Sequence, residues 1–242
     1  MRIAVFSDIH GNLVGLDACL ADLQSQGGAD VLVAAGDLCL DGPKPKKVLQ
    51  RLVEVGAQCL RGNTDRYIAA NDGAELAPIE RDQMQWYRTE LGEKWITWLR
   101  ELPLELRFGE ANNQLLVVHA NPLNDDEQLW PDADDATLTR LIGKEKAQTI
   151  AFGHLHLPYV RVWKNKLLVN VASAGLPKDG DPRAGYAILT QRSSGWQVKH
   201  RRVPFDIKKV ATQLTDAGIP HSAELVTVLR RHRYKRLKTL IP

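Results

Sequence analysis

Five short apolar runs in this chain each lead into residues able to bind a metal ion, and no other feature constrains the fold so strongly. "IAVFS" (3–7) leads into Asp8 and His10, "VLVAAG" (31–36) into Asp37, and "CLRG" (59–62) into Asn63. "LLVV" (115–118) leads into His119, and "TIAFG" (149–153) into His154 and His156. Short apolar runs bounded by glycine and polar residues read as buried strands. Between the first three lie stretches with helical spacing, Leu13, Leu16, Leu20 and Leu23, then Val48, Leu49, Leu52 and Val53. The β-α-β-α-β order predicts a parallel sheet with right-handed crossovers. In such a sheet, side chains just past the carboxyl ends of the strands face one crevice. Extended backbone would send His154 and His156 to the same side of theirs.

The donor set is two carboxylates (Asp8, Asp37), one amide (Asn63) and four imidazoles (His10, His119, His154, His156). That is too many for one first-row ion and suits two ions about 3.5–4 Å apart that share a carboxylate. The lack of thiolate argues against a structural zinc site and leaves Mn, Fe, Zn, Co or Ni open. Taken singly, each residue has an ordinary explanation. Asp8 would cap the next helix, Gly36-Asp37 would be a turn, Asn63 would suit a left-handed position, and His119 would be a hydrogen-bonded core histidine. Five such coincidences at five strand ends are much harder to accept. The remaining histidines, His200, His221 and His232, read as surface residues.

Composition narrows the class. The chain has 242 residues, 44% hydrophobic and 25% charged, as expected of a soluble α/β protein of one or two domains. No apolar run approaches the 18 or so residues that span a bilayer, and "MRIAVFSDIH" does not resemble a signal peptide. Cys19, Cys39 and Cys59 are odd in number and form no CxxC pair, which suits a reduced cytoplasmic protein. The net charge is +3, but six Lys or Arg fall in "RRHRYKRLK" (230–238), leaving the remainder at −3. The body is therefore not a basic nucleic-acid binder, and the basic C-terminal tail (about 224–242) reads as a solvated face.

Residues 66 to about 102 interrupt the alternation as a helical insertion, in which Trp86, Trp95, Trp98 and Leu99 form a stripe expected to be packing surface. Farther on, "YVRVW", "KLLVNVAS", "GYAILTQ" and "WQVKHRRV" are short β runs without helices between them. They are expected to form an antiparallel sheet stacked on the first.

The ordered blocks "SDIHGN" (7–12), "GDLCLDG" (36–42), "RGNTD" (61–65), "VVHANP" (117–122) and "GHLH" (153–156) resemble those of calcineurin-like metallophosphoesterases. The likeness covers residues 1 to about 190 and is nearest the small bacterial phosphodiesterase branch, which also carries a segment like "DGDPRAGYAIL" (179–189). It implies one α/β domain over 1–242: a four-layer α-β-β-α sandwich with two mixed central sheets and a dinuclear metal site at the strand C-terminal ends. It implies that Asp8, His10, Asp37 and His156 hold one metal, and that Asp37, Asn63, His119 and His154 hold the other, manganese foremost. The implied activity is hydrolysis of phosphodiesters or phosphomonoesters by in-line attack of a metal-bridging hydroxide, with Asp37, Asn63 and Arg61 catalytic. Asn12, Arg61, Thr64 and Arg183, with Lys178, are the expected substrate contacts. The expected substrate is a small phosphate ester or nucleotide, with no membrane partner. The alternatives are a dinucleoside polyphosphate hydrolase, a protein-phosphatase-like enzyme, a nuclease gripping nucleic acid with the basic tail, and, from another class, a non-catalytic binding scaffold.

This chain departs from the family pattern at two places. Many relatives have histidine where this chain has Thr64, and that histidine is usually assigned the proton given to the leaving group; some relatives carry cysteine there. Relatives often read Asn-Pro-Gly-Ser where this chain has "NVAS" (170–173). A threonine hydroxyl is too weak an acid for the proton-donor role, so Thr64 reads as a helix N-cap before "DRYIAA". Aryl esters, or nucleotides whose leaving group is a phosphate, then suit the site better than esters of simple alcohols.

Overall fold

Past Arg2 both faces of the first strand are buried, which is why "IAVF" is apolar throughout rather than alternating. The computed structural model describes residues 1–70 and 77–233. In chain order the elements are β1 (Arg2–Phe6), α1 (Leu13–Ser25), β2 (Val31–Ala35), α2 (Pro45–Glu54), β3 (Gln58–Leu60), α3 (Asn63–Ala70), α4 (Pro78–Glu101), β4 (Glu105–Phe108) and β5 (Leu115–Val118). There follow α5 (Asp135–Ile142), β6 (Thr149–Phe152), β7 (Tyr159–Trp163), β8 (Lys166–Asn170), β9 (Ala184–Arg192), β10 (Gly195–Val203), α6 (Ile207–Asp216) and α7 (Ser222–Arg231). Among the described residues, no helix is long and apolar enough to cross a membrane.

The strands form two mixed sheets of five, ordered β10-β9-β1-β2-β3 and β4-β5-β6-β8-β7. The expected parallel run β1-β2-β3 is present. The last four β runs do not make a separate antiparallel sheet. β7 and β8 join the second sheet, with β8 parallel to β6, whereas β9 and β10 return to pair antiparallel beside β1. The reason lies in burial. β9 begins with six buried residues, "AGYAIL", a pattern that needs cover on both faces and finds it beside β1.

Alternation along each strand divides the core into layers. Ile3 and Val5 of β1 face inward, with Val33, Ala35 and Leu60, onto Leu115, Val117, Ala151 and Val169 of the second sheet. Ala4 and Phe6 face outward onto Leu16, Leu49, Tyr87 and Leu99 of the helices. Leu116, Ile150 and Phe152 face α5 through Leu138 and Ile142. Four layers result, α-β-β-α. Trp95 and Leu99 are buried in the helical layer, and Trp86 and Trp98 pack against it, so the expected stripe is packing surface. The stretch from 66 to about 102 is helical in α3, which begins earlier at Asn63, and in α4, with 71–76 outside the described residues; α4 bends at Gly92 (φ 72°). Cys19, Cys39 and Cys59 are buried free thiols. Of the basic tail, α7 and the residues up to 233 are described, and 234–242 lie outside.

One surface clamp yields a measurable pH dependence. Glu145 accepts from both Arg107 Nη1 and Nη2 (3.0 Å each) and from the Lys146 and Ala147 amides (2.7 Å each), tying the turn before β6 to β4. The Arg107 hydrogen bonds outweigh partial burial and hold its carboxyl at about 2, against an ordinary 4.5. A depressed folded-state value contributes stability above pH 4.5, and that contribution is lost as pH falls towards 2. Glu145→Gln should therefore cost about 1–2 kcal/mol at pH 7, and the difference should vanish near pH 2. Urea midpoints of both forms across that range check it.

Candidate metal centre

Where β1 and β2 end, their backbones continue side by side. Asp8, His10 and Gly11 donate their amides to the Gly36, Asp37 and Leu38 carbonyls (3.0, 2.9 and 2.9 Å). The Ser7 hydroxyl donates to the Ala35 carbonyl (3.0 Å), and Asn12 closes the turn as N-cap of α1, accepting from the Gly15 amide (2.9 Å). Within this frame the backbone is forced into unusual shapes. Of the ten non-glycine residues with positive φ among those described, five are candidate ligands: Asp8, His10, Asp37, His154 and His156. Side chains held in the left-handed region concentrate where function over-determines them. No pattern of hydrophobic periodicity announces these angles.

Gly36, just before Asp37, has φ +86°, and a Cβ there would come within 2.6 Å of the Gly62 amide and 2.7 Å of His119 Nδ1. Gly36→Ala should cost about 3 kcal/mol or more through strain and overlap together. Chemical denaturation checks this; a loss under about 1 kcal/mol would contradict the packing described.

The side chains gather into two groups. Asp8, His10 and His156 form one, Asp37, His119 and His154 the other, with the ligand atoms of each all within 4.8 Å of one another. In the first, His156 Nε2 lies 3.2 Å from both Asp8 Oδ1 and His10 Nε2. In the second, His119 Nε2 lies 2.9 Å from Asn63 Oδ1, 3.2 Å from His154 Nδ1 and 3.3 Å from Asp37 Oδ1. Asp37 also reaches towards the first group, with Oδ2 3.8 Å from His10 Nε2. His154 and His156 do not share one extended strand. β6 stops at Phe152, both residues are left-handed, and each turns to a different group.

The protonation pattern shows what such groups would accept. His10 Nδ1 donates to the Leu40 carbonyl (2.9 Å), His119 Nδ1 to that of Ala35 (2.9 Å), and His156 Nδ1 to that of Leu176. Because a carbonyl only accepts, each ring carries a proton on Nδ1; His10 and His156 thereby aim Nε2 lone pairs inward, while His119 Nε2 faces the Asn63 and Asp37 oxygens and holds a second proton until a cation takes its place. The lone pairs of His10 and His156 then face each other at 3.2 Å, an arrangement that a cation between them would relieve. Charge tells the same story. Burial pushes Asp8 up, but the His156 ring beside it brings it to about 2. Asp37 is held well below the usual range by His119 and His10, against its burial. Burial opposes a charge on His119, yet Asp37 holds that ring's pKa at about 10. Buried carboxylates here demand positive charge, and a metal ion supplies it in place of a proton. The donor set thus fits a pair of cations.

The other expected contacts are distributed differently. Asn12 is buried with both ends engaged, donating to the Gly175 carbonyl (2.8 Å) as well as capping α1, so it positions the loop. Thr64 is not an N-cap. It lies inside the first turn of α3, its amide donates to Asp37 Oδ1 (3.0 Å), and its buried hydroxyl has no hydrogen-bond partner. Arg61 donates from Nη1 to the Arg100 carbonyl (3.2 Å) and lines a side cavity of about 410 Å³ with His119, Asn121 and Leu123. Arg183 is exposed and paired with Asp181 (2.6 Å). Lys178 follows the first group, its amide donating to the His156 carbonyl (3.3 Å). His200 is half-buried, with Nε2 donating to the Asn170 carbonyl (2.7 Å), and is not a surface residue.

Sequence reasoning passed over the residues that hold this arrangement. Asp65, fully buried, accepts from the Leu38 (2.9 Å) and Gly62 (3.0 Å) amides and so locks the β2 and β3 ends together. Its burial, with Asp37 nearby, raises its carboxyl to about 7. Ser173 donates to the Asp8 carbonyl (2.7 Å) and accepts from the Leu176 amide (2.7 Å), and Asn170 donates to the Gly153 carbonyl. The "NVAS" turn therefore braces both Asp8 and the His154 loop. The available signal was Asn170 and Ser173, polar residues in an otherwise apolar run.

Known proteins share this framework. The profile of the calcineurin-like phosphoesterase superfamily domain matches residues 1–194. The crystal structure of a metallophosphoesterase from Sphaerobacter thermophilus is 27% identical, superposes with a TM-score of 0.77, and the match covers 96% of this chain and 99% of that one. Phosphodiesterase YfcE of Escherichia coli K12 is 27% identical over 199 residues, 78% of this chain and 87% of YfcE. The symmetrical bis(5'-nucleosyl)-tetraphosphatase of an Acidovorax species is 30% identical over 126 residues, 51% of this chain but only 45% of that protein.

Proposed function

Because the chain belongs to the calcineurin-like phosphoesterase superfamily, we propose that it is a phosphoric ester hydrolase working with two divalent cations. Asp8, His10, Asp37 and His156 would hold one, and Asp37, Asn63, His119 and His154 the other. The observation that carries the reading is the placement of Asp37, whose two oxygens point to His119 in one group and His10 in the other. A carboxylate so placed suits a bridge between paired ions. When bound, such a pair supplies Lewis acidity towards phosphoryl oxygens and a hydroxide nucleophile at neutral pH.

The chain's own residues orient and protect. The Thr64 amide fixes one Asp37 oxygen, and the backbone carbonyls of Leu40, Ala35 and Leu176 fix the ring tautomers. The burial of both groups excludes bulk water and strengthens every charge interaction within them. At position 64 there is a hydroxyl and no acid, so the leaving group must depart with little help from a proton. Aryl diesters and phosphoanhydrides, whose leaving groups are weak bases, satisfy that condition. The same observation favours dinucleoside polyphosphate hydrolysis as a second reading. A non-catalytic scaffold is disfavoured because every candidate ligand position is filled. Metal analysis followed by a screen of p-nitrophenyl phosphate, bis(p-nitrophenyl) phosphate and diadenosine tetraphosphate with added Mn²⁺ tests the proposal. Turnover of at least one that EDTA abolishes is expected; a metal-free protein inert to all three would refute it.

A further inference from the structure

The side of the crevice formed by His10 and His156 is closed by the C-terminal part of the chain. Leu229 of α7 lines a small cavity together with His10, Asp41, Gly175 and Leu176. Just past the His156 loop, Asp179 forms an antiparallel bridge with Arg233, and the Gly180 amide donates to the His232 carbonyl. Arg233 lies over Gly180, where a Cβ would sit 3.5 Å from its Nε. Residues 229–233 therefore run along the edge of the crevice from His10 to the segment that follows His156.

This edge is strongly cationic. The segments along it carry six cations, Lys178, Arg183, Arg202, Arg230, Arg231 and Arg233, against three carboxylates, Asp41, Asp179 and Asp181. Arg202 already holds Asp179, and Arg183 holds Asp181. Arg230, Arg231 and Arg233 are exposed and have no acidic partner among the described residues. Lys178 stands next to the first metal group, its amide donating to the His156 carbonyl (3.3 Å).

We propose that Arg230, Arg231 and Arg233, with Lys178, form a cationic rim that binds the outlying phosphates of a multiply charged substrate. The rim makes polyphosphate esters better substrates than monoanionic diesters, and this specificity rests on the phosphoesterase reading above. A simple diester carries one negative charge, which the metals themselves neutralise. A polyphosphate chain extends past them, and exposed guanidinium groups engage its oxygens two at a time. They also raise the local concentration of such an anion.

Three variants of the full chain test this: R230Q/R231Q/R233Q, the charge-preserving R230K/R231K/R233K, and Lys144→Gln as a distant control. Calorimetric titration with inorganic tripolyphosphate in EDTA at low salt should show binding weakened about tenfold or more in the glutamine form. The lysine form should recover most of it, and the control should match wild type. With Mn²⁺, the KM penalty in the glutamine form should grow with substrate charge. It should be about tenfold larger for diadenosine tetraphosphate than for bis(p-nitrophenyl) phosphate. Equal penalties for both, or tripolyphosphate binding indifferent to the arginines, would overturn the rim. So would a loss confined to single-stranded oligonucleotide, which would assign the cations to nucleic acid. Arginine-dependent tripolyphosphate binding in a protein that hydrolyses no ester would support the rim while sinking the phosphoesterase reading.

Discussion

Asp37→Asn is expected to lower kcat/KM for bis(p-nitrophenyl) phosphate with Mn²⁺ by about 10³-fold while leaving the circular dichroism spectrum unchanged. Asp37 has one oxygen near an imidazole of each group, Oδ1 by His119 and Oδ2 by His10. An asparagine would turn an amide N–H₂ towards one group and leave the His119 group without an anionic donor, while the His10 group keeps Asp8. The expected companion result is a fall from two bound metals to one or none, measured by mass spectrometry of dialysed protein. A loss under about tenfold with metal content preserved would mean that Asp37 is a structural neighbour of the site and not a shared ligand.

Thr64→His is expected to act in the opposite direction, and only on some substrates. The Thr64 hydroxyl is buried, has no hydrogen-bond partner, and sits next to the amide that holds Asp37. An imidazole there would supply the missing acid, an effect typically worth 10²–10⁴-fold for a leaving group that needs a proton. Turnover of alkyl esters should therefore rise about 10²-fold. Turnover of p-nitrophenyl esters, whose leaving group is a weak base, should change little. In wild type the rate should depend steeply on leaving-group pKa, and the histidine should flatten that slope. A flat slope in wild type would show that another group already delivers the proton.

Much of the centre was legible because strand ends are written in the sequence. An apolar run followed by Asp, His or Asn can be located without knowing which sheet holds it, and all seven candidate ligands lie where such runs stop. Sheet membership was less legible. β8 and β9 are separated by residues 171–183 and read alike as β runs, yet one lies parallel to β6 and the other antiparallel to β1. That choice depends on burial of both faces, a tertiary property that local pattern does not encode. The conformation of "GHLH" was misread for a similar reason. An i, i+2 argument holds only for extended backbone, and His154 (φ 66°) and His156 (φ 55°) leave it. The cap expected at Thr64 is absent, and one falls at Asn12, because capping depends on where the helix begins: Asn12 caps α1, whereas α3 starts at Asn63, one residue before the threonine. The braces at Asp65 and Ser173 went unnoticed since a buried serine or aspartate bonded to backbone leaves no periodic signature.

The most direct test of the central claim is an anomalous-scattering crystal structure of the protein grown with Mn²⁺. Two peaks about 3.5–4 Å apart are predicted, one against Asp8, His10 and His156, the other against Asn63, His119 and His154, with Asp37 touching both. A single peak, or none among these side chains, would contradict the account.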